Sequence, residues 1–201
     1  NIMHLVTGGA GFIGSHLVDA LVSRGINVRV FDNFSSGREE FLSHHQGTGK
    51  VEVVRGDLLN IDEVESAMSG IEMVHHLAAN PDIRLGTEVT DTDLKQGTLA
   101  TYNVLESMRK VGVNKISFSS SSAIYGEAEE MPTPETYGPV MPISLYGASK
   151  LGSEALITAW AGTVGANAWV HRCATMGGAR GTDGVHLDCI PRLTTAPSSR
   201  E

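Results

Sequence analysis

Two side chains that could perform acid–base chemistry together stand at Tyr146 and Lys150. Residues four apart on a helix share one face, so the ammonium would lie beside the phenol. A tyrosine with its reference pKa of about 10 is a poor base at neutral pH. We expect the lysine, with a second positive charge nearby, to lower that pKa. Tyr146 would then take a proton from a substrate hydroxyl while hydride leaves the same carbon. The alternative is that Tyr146 and Lys150 are an ordinary pair of exposed side chains on a helix, with no catalytic role.

A serine run, residues 119–122, follows a short apolar stretch at 115–118. Ligands of parallel sheets gather at the carboxyl ends of the strands, so these hydroxyls are well placed if 115–118 is a strand. A serine there can hold the reacting oxygen and share the charge that develops on it. The catalytic interpretation of Tyr146 and Lys150 depends on this order of elements.

The elements that must position these side chains begin with the glycine-rich segment at residues 7–14, which follows an apolar run at 2–6 and precedes a helical pattern. Strand, glycine turn and helix are the context of a dinucleotide-binding motif. Gly8 permits the tight turn, Gly11 leaves room for a pyrophosphate, and Gly14 lets the helix pack closely on the strand. The free N–H groups at the helix start then face the phosphates.

An acidic residue, Asp32, ends the second predicted strand, residues 27–31. A carboxylate at this point accepts both ribose hydroxyls of an adenosine and repels a 2′-phosphate, which favours NAD over NADP. A bound nicotinamide cation would supply the second positive charge beside Tyr146. The alternatives are a glycine turn in another kind of α/β protein and a helix-capping role for Asp32.

The whole chain alternates short β-branched runs with helical patterns, which is typical of an α/β fold with a doubly wound parallel sheet. Residues 87–111 are predicted to form one long helix, and Ser144 to cap another that runs to about Trp160. Asp57, after the third strand, is placed to meet the adenine. Predicted strands cover residues 2–6, 27–31, 51–54, 73–77, 115–118 and 166–172, and the long helix is predicted to bury Leu99, Tyr102, Leu105 and Met108 on one face.

Composition excludes several classes of protein. The 201 residues are 41% hydrophobic and 19% charged, with a net charge of −8 and no basic cluster, which argues against nucleic-acid binding. No apolar run approaches the ~20 residues that span a bilayer. Cys173 and Cys189 lack metal-ligand or disulfide-scaffold spacing, so we expect a cytoplasmic protein whose N-terminus is the first strand.

Histidines and acids add no predicted site. The adjacent pairs His44-His45 and His75-His76 would point to opposite faces of a strand, so no metal site is expected. The acidic stretches at 91–93 and 127–130 are predicted to be solvated. Residues 127–142 form a long proline-containing loop, the kind that usually acts as a lid or binding segment. A short helix is expected between Gly37 and Ser43.

Taken in order, these motifs closely resemble the extended short-chain dehydrogenase/reductases of the NAD-dependent epimerase/dehydratase family, whose UDP-glucose 4-epimerase-like members look nearest. The resemblance covers nearly the whole chain and implies a Rossmann-like fold. The motifs are Gly8 to Gly14, Asp32-Asn33, Gly56-Asp57-Leu58, His76-Leu77-Ala78-Ala79, the serines before Tyr125-Gly126, and Tyr146 to Lys150.

The resemblance implies that NAD oxidises a sugar carbon and that the keto sugar is then reduced on its other face. Tyr146 would be the base, Lys150 its partner and a ribose ligand, and Ser121 the hydroxyl helper, with Ser122 as the fallback. Thr175 would face the nucleotide sugar, for which a UDP-sugar is the expected choice. The residues implied to line the cofactor are Gly8, Gly11, Phe12, Ile13, Asp32, Asn33, Ser36, Asp57, Leu58, Leu77, Ala78, Ala79, Tyr146 and Lys150.

The type of reaction can be narrowed. Family members that remove water or carbon dioxide need an additional acid one or two residues after the helper, and here Ser122 and Ala123 occupy those places. The sequence is therefore compatible with epimerisation, or with a simple dehydrogenase or reductase step, because neither needs this acid. Another NAD-dependent oxidoreductase acting on a sugar nucleotide and an idle NAD-binding module are the alternatives.

Three departures from the family pattern stand out. Gly97 replaces an Asn that usually faces the cofactor, and Thr175 replaces an Asn that contacts the nucleotide sugar. Each replacement removes a polar contact, which costs about 1 kcal/mol if the contact is buried. The chain also ends where a substrate lobe would begin. We therefore expect a cofactor-binding domain with the Ser/Tyr/Lys site at 1–175 and a truncated substrate lobe at 176–201. A homodimer that pairs the 87–111 helix with the Tyr146 helix is also expected.

Overall fold

One six-stranded sheet organises the computed structural model, which describes residues 2–82 and 84–181. The strands are β1 (Met3–Thr7), β2 (Asn27–Asp32), β3 (Val51–Arg55), β4 (Met73–His76), β5 (Lys115–Ser121) and β6 (Asn167–Cys173). Their spatial order is β3-β2-β1-β4-β5-β6, and every neighbouring pair is parallel. This order reverses between β1 and β4, which is the point where such sheets bind ligands. The prediction of a doubly wound parallel sheet is confirmed.

Five α-helices accompany the strands in the described part of the chain: α1 (Phe12–Ser23), α2 (Ile61–Ala67), α3 (Leu85–Glu88), α4 (Ala100–Val111) and α5 (Leu145–Val164). As predicted, Ser144 caps α5, its Oγ accepting from the Gly147 N–H at 3.0 Å. Shorter turns of 3₁₀ helix cover Glu39–Phe41, Ser43–His45 and Ser122–Tyr125, and a π-helical turn covers Leu94–Leu99.

The prediction of one long helix at 87–111 is wrong for the residues before Ala100, where α4 begins. The chain instead forms the short α3, a turn, and the π-helical segment before α4. Leu105 and Met108 are buried as expected, but Leu99 and Tyr102 are 45% and 51% exposed. Helical geometry explains the error, because Ala100, Thr101 and Val104 share the buried face with Leu105 and Met108, and Tyr102 lies on the neighbouring one.

The predicted helix between Gly37 and Ser43 is also wrong, since two 3₁₀ turns take its place. The expectation that His44 and His45 diverge fails for the same reason: they lie in a 3₁₀ turn rather than a strand, and both contact Asp19. Most of the predicted substrate lobe at 176–201 lies outside the described residues, which end at residue 181.

Apolar side chains bury both faces of the sheet. Leu5 and Val74 belong to a cluster that includes residues of α2, α4 and α5. Val6 and Val30, which point to the opposite face, join a cluster with α1. Burial on both sides is what a parallel sheet requires, and it fixes the carboxyl ends of the strands rigidly. None of the helices in residues 2–82 and 84–181 has both the length and the apolar character needed to traverse a bilayer.

Candidate functional site

A cleft of about 690 Å³ opens at the carboxyl ends of the central strands. It collects residues that are far apart in the sequence, and it brings together almost all of the predicted site. The predicted residues that line it are Gly8, Gly11, Phe12, Ile13, Asp32, Asn33, Ser36, Leu58, Leu77, Ala78, Ala79, Ser121, Ser122, Tyr146, Lys150 and Thr175.

The glycine turn has the geometry of a phosphate cradle. Gly8 has a φ of +69°, and a Cβ there would lie 2.8 Å from the backbone of Ala78. A Cβ on Gly14 would overlap the carbonyl oxygen of Gly8, so helix α1 can pack this closely only on glycine. By contrast, a Cβ on Gly11 would meet only the Gly8 carbonyl oxygen within 4 Å, at 3.3 Å, and Gly11 borders the cleft. The first turn of α1 therefore presents its N–H groups to the cleft.

Asp32 lies at the end of the cleft formed by β2 and the glycine turn. Its side chain is buried, with Oδ2 accepting from the Ala10 N–H at 2.9 Å and Oδ1 accepting from the Phe34 N–H at 2.8 Å. A carboxylate has about four acceptor positions, so both oxygens can still accept from ribose hydroxyls. The bond to Ala10 also ties β2 to the glycine turn. Asp32 fixes a turn rather than capping a helix.

Asp57, which was predicted to be placed to meet the adenine, does not line the cleft. Its neighbours Gly56 and Leu58 do line the cleft. Its Oδ1 accepts from the Leu59 N–H at 2.9 Å, and its own N–H donates to Glu63 Oε2 at 2.9 Å. In this structure Asp57 therefore shapes the turn that leads into α2.

A buried network behind the cleft was missed by sequence reasoning. Thr7 Oγ1 accepts from the N–H groups of Leu77 and Ala78 at 3.2 and 3.3 Å, which fixes the backbone where β4 enters the cleft. The same oxygen lies 2.7 Å from His76 Nδ1, whose Nε2 lies 3.0 Å from Thr101 Oγ1. The only sequence signal for this network is the occurrence of polar residues, Thr7 and His76, at the ends of β1 and β4.

Tyr146 and Lys150 lie together at the other end of the cleft. Lys150 Nζ lies 5.7 Å from the Tyr146 ring centroid and 4.9 Å from that of Phe118. It donates to the Ser119 carbonyl oxygen at 2.6 Å, so β5 holds the ammonium in place. The Ala123 N–H donates to Ser121 Oγ at 3.1 Å, which leaves the Ser121 hydroxyl proton to bond the phenol of Tyr146. The three predicted catalytic side chains therefore converge.

The pKa values are set mainly by burial. Burial raises the pKa of Tyr146, and the hydrogen bond from Ser121 acts in the opposite direction. The sequence argument expected a lowered pKa, so the protein by itself gives the opposite result. Burial also lowers the pKa of Lys150 to about 8, partly offset by the charges of Cys173 and Asp93. Lys150 is still mostly an ammonium at neutral pH.

Asp93 is a further residue at this end that the sequence did not single out. It was predicted to be solvated, but it is 2% exposed, and its charge raises the pKa of both Tyr146 and Lys150. Its Oδ1 accepts from Asn80 Nδ2 at 3.2 Å, and its carbonyl oxygen accepts from Ser149 Oγ at 2.7 Å. Its neighbour Asp91 is exposed, as predicted.

Arg172 fastens the loop at 127–142 to α5. Its Nε and Nη2 bond the two Glu154 oxygens, with the shortest contact at 2.9 Å. Its Nη1 donates to Tyr125 Oη at 3.1 Å and to the Glu135 carbonyl oxygen at 2.9 Å. One guanidinium thus connects β6, the turn after the serines, the loop at 127–142 and α5.

Comparison with known proteins agrees with this geometry. The UDP-glucose 4-epimerase of Corynebacterium glutamicum is 33% identical over 189 residues, which are 94% of this chain and 56% of that protein. UDP-glucuronic acid decarboxylase 4 of Arabidopsis thaliana is 39% identical over 158 residues, 76% of this chain and 34% of that protein. The crystal structure of the Thermotoga maritima UDP-glucose 4-epimerase with UDP-glucose superposes with a TM-score of 0.83 at 37% identity, covering 92% of this chain and 60% of that one.

The chain thus spans about a third to three fifths of the length of these relatives. Residues 4–196 match the NAD dependent epimerase/dehydratase family. This match confirms NAD as the cofactor, and the glycine cradle and Asp32 fit that group sterically and electrostatically. The chain therefore belongs to the NAD dependent epimerase/dehydratase family.

Proposed function

We propose that this protein epimerises a nucleotide sugar at C4, with Tyr146 as the base. The observation that carries the proposal is the convergence of Ser121, Tyr146 and Lys150 at one end of a cleft whose other end holds Asp32. A dinucleotide that extends from Asp32 across the glycine turn would put its nicotinamide at the Tyr146 end.

Each side chain has a defined task in this proposal. Tyr146 takes the proton of the C4 hydroxyl and later returns it, and Ser121 donates a hydrogen bond to the reacting oxygen. Lys150 bonds the ribose nearest the nicotinamide and keeps positive charge beside the phenol. When bound, NAD supplies a hydride acceptor at C4 and returns the hydride to the other face of the sugar. Because burial raises the pKa of Tyr146, the charges of Lys150 and the cofactor must offset it.

The residues after Ser121 favour epimerisation over loss of carbon dioxide or water. Ser122 and Ala123 carry no carboxyl group, so no acid stands there to drive either elimination. The carboxylate of Asp93 is buried and bonded to Asn80. The decarboxylase relative is thus a weaker guide to the reaction than the epimerase relatives, although its identity is similar.

We propose a UDP-sugar as the substrate. The relatives are a UDP-glucose 4-epimerase and a UDP-glucuronic acid decarboxylase, and one solved neighbour contains UDP-glucose. Thr175, at the rim of the cleft, would contact the nucleotide sugar. Its hydroxyl offers one donor and an acceptor oxygen, whereas the amide of an Asn would offer two donors and an acceptor oxygen.

We also propose that the protein is a cytoplasmic homodimer. Leu94, Leu99 and Tyr102 form an apolar surface on the π-helical turn and α4, each about half exposed. Such a surface beside α5 suits pairing of α4 and α5 with the same helices of a second copy.

The test is the interconversion of UDP-glucose and UDP-galactose by the purified chain with NAD, followed by NMR. Tyr146→Phe removes the proton acceptor and should reduce turnover by 10²-fold or more. Tyr137→Phe is the control and should leave turnover unchanged, because Tyr137 is half-buried outside the cleft lining and its hydroxyl accepts from the Glu129 N–H. No turnover with a panel of nucleotide sugars would contradict the proposal.

A second candidate is an idle NAD-binding module. It is favoured by the burial of Tyr146, which raises the pKa of the phenol and makes Tyr146 a poorer proton acceptor. This candidate predicts NAD binding with no hydride transfer. A transient rise in NADH absorbance on addition of a UDP-sugar would exclude it.

A further inference from the structure

Three potential metal ligands meet outside the cofactor cleft. Asp19 Oδ1, on α1, lies 2.7 Å from His44 Nε2 and 2.6 Å from His45 Nε2. The three ligand atoms lie within 4.8 Å of one another, and the two imidazole rings have centroids 4.0 Å apart. None of the three residues lines the cleft. The two imidazoles of the 3₁₀ turn thus converge on one carboxylate oxygen of α1.

We propose that Asp19, His44 and His45 bind a divalent transition metal ion, with Zn²⁺ as the best match. Imidazole nitrogen and carboxylate oxygen are the ligands that Zn²⁺ takes in proteins, and three protein ligands leave a fourth tetrahedral position for water. The absence of thiolate from the set disfavours softer ions such as Cu⁺.

The ligand atoms need only a small adjustment. Tetrahedral Zn²⁺ with bonds of about 2.0–2.1 Å separates its ligand atoms by about 3.3 Å, compared with 2.6 and 2.7 Å here. The His44 side chain is 48% exposed and free to rotate outward, whereas His45 is held at 10% exposure. Each imidazole would place its proton on Nδ1 and offer the Nε2 lone pair.

The charges around Asp19 suit one cation and set a limit on its affinity. Arg180 Nη2 contacts Oδ2 at 2.8 Å and leaves Oδ1 for the ion. Because the guanidinium repels a cation, we expect micromolar rather than nanomolar binding.

A bound ion would also stiffen one wall of the cleft. His44 and His45 end the segment at 33–45, in which Asn33, Ser36 and Phe41 border the cleft. Joining this segment to α1 through an ion restricts the segment that faces the adenosine. A ligand that binds only the folded state raises Tm, here by about 5–11 °C at Zn²⁺ concentrations about 100-fold above Kd.

The experiment titrates tag-free, EDTA-treated protein with Zn²⁺ against a fluorescent chelator, and with Co²⁺ by visible absorption. The expected result is one Zn²⁺ per chain, a tetrahedral Co²⁺ spectrum, and a loss of affinity of at least tenfold in His44→Ala. His171→Ala is the matched control, since His171 is exposed and bonds Ser117 instead, and it should bind like the unmodified chain.

Because His44 is largely exposed, His44→Ala should remain folded, which circular dichroism checks; Asp19→Asn provides a second variant that keeps the side-chain volume. Failure to bind Zn²⁺ more tightly than about 100 μM, which corresponds to a weak interaction, would overturn the proposal. Unchanged Zn²⁺ affinity in both His44→Ala and Asp19→Asn would overturn it as well.

Discussion

Gly97 lies so close to Ser149 that a Cβ atom on Gly97 would overlap Ser149 Oγ. Ser149 stands between Tyr146 and Lys150 on α5, and its hydroxyl is committed to the Asp93 carbonyl oxygen at 2.7 Å. The contact therefore sets the distance between the π-helical turn and the helix that carries the proposed base. It also gives a physical reason for the departure at this position, since the Asn expected from the family has no room here.

We predict that Gly97→Ala destabilises the protein by about 1–3 kcal/mol, because it overpacks a buried contact, and that Gly97→Asn costs at least as much. Both should weaken NAD binding by shifting α5. Chemical denaturation and calorimetric titration with NAD measure the two effects. Gly152→Ala is the matched control: its Cβ would lie 3.7 Å from Thr98 Oγ1, an ordinary contact, so it should stabilise α5 by about 0.5–1 kcal/mol. A Gly97→Ala variant as stable as the parent would contradict the packing argument.

Lys150→Met should make the folded state more stable at pH 7. Burial lowers the pKa of Lys150 to about 8, so the fold disfavours the ammonium that the unfolded chain carries up to pH 10.4. Stability of the parent protein should rise with pH between about 8 and 10.4, because the unfolded state binds the extra proton there. The gain from Lys150→Met, on the order of 1 kcal/mol, should shrink across that window.

Denaturant midpoints at pH 7 and pH 10 measure this gain. Lys115→Met removes an exposed lysine paired with Glu72 and should change stability by only a few tenths of a kcal/mol. Lower stability of Lys150→Met at pH 7 would show that the bond to Ser119 outweighs the cost of burial.

Asp93→Asn should lower the pKa of Tyr146, because the carboxylate charge of Asp93 raises it. The same change should lower the pKa of Lys150. Ultraviolet titration of phenolate, with Tyr146→Phe as the reference, measures the first effect. Asp91→Asn removes an exposed carboxylate that pairs with Lys95 and should leave the Tyr146 titration unchanged. Equal shifts in the two variants would rule out a specific role for Asp93.

Acid should destabilise the fold through its buried histidines before the carboxylates titrate. Burial lowers the pKa of His75 to about 4 and that of His76 to about 3, compared with about 6.5 in the unfolded chain. The unfolded state therefore binds protons that the folded state refuses, and stability falls as pH drops below about 6.5, levelling off below the folded pKa values. Each group contributes up to about 1.4 kcal/mol per pH unit.

Thermal melts between pH 7 and pH 5 test this dependence, with His75→Gln expected to reduce its slope. His16→Gln, at an exposed position that does not act on His75 or His76, should reproduce the parent slope. A pH-independent Tm over this range would contradict the argument.

The sheet, the glycine turn, the position of Asp32 at the end of β2 and the helix that carries Tyr146 could be predicted from the sequence. Each follows from local rules of periodicity, capping and glycine geometry. Prediction failed where tertiary packing decides. The π-helical turn rotates the chain before α4, which exposes Leu99 and leaves Gly97 against Ser149. Asp93 was predicted to be a surface acid, but contacts with Asn80 and Ser149 bury it. Ser149 is far from Asp93 along the chain, so no local pattern reveals this contact.

The meeting of Asp19 with His44 and His45 could not be predicted, because it depends on how a 3₁₀ turn folds back on α1. The pKa of Tyr146 is a similar case. The spacing of Tyr146 and Lys150 predicts their proximity, but burial, which no local pattern reveals, sets the direction of the shift.

We propose that NAD lies across the strand ends with its adenosine ribose on Asp32, and the dissociation constants of NAD and NADP with this chain decide whether it does. NAD should bind at least about tenfold more tightly than NADP, a difference of about 1.4 kcal/mol, because the buried Asp32 carboxylate repels a 2′-phosphate. Equal affinity for the two dinucleotides, or binding of neither, would contradict it.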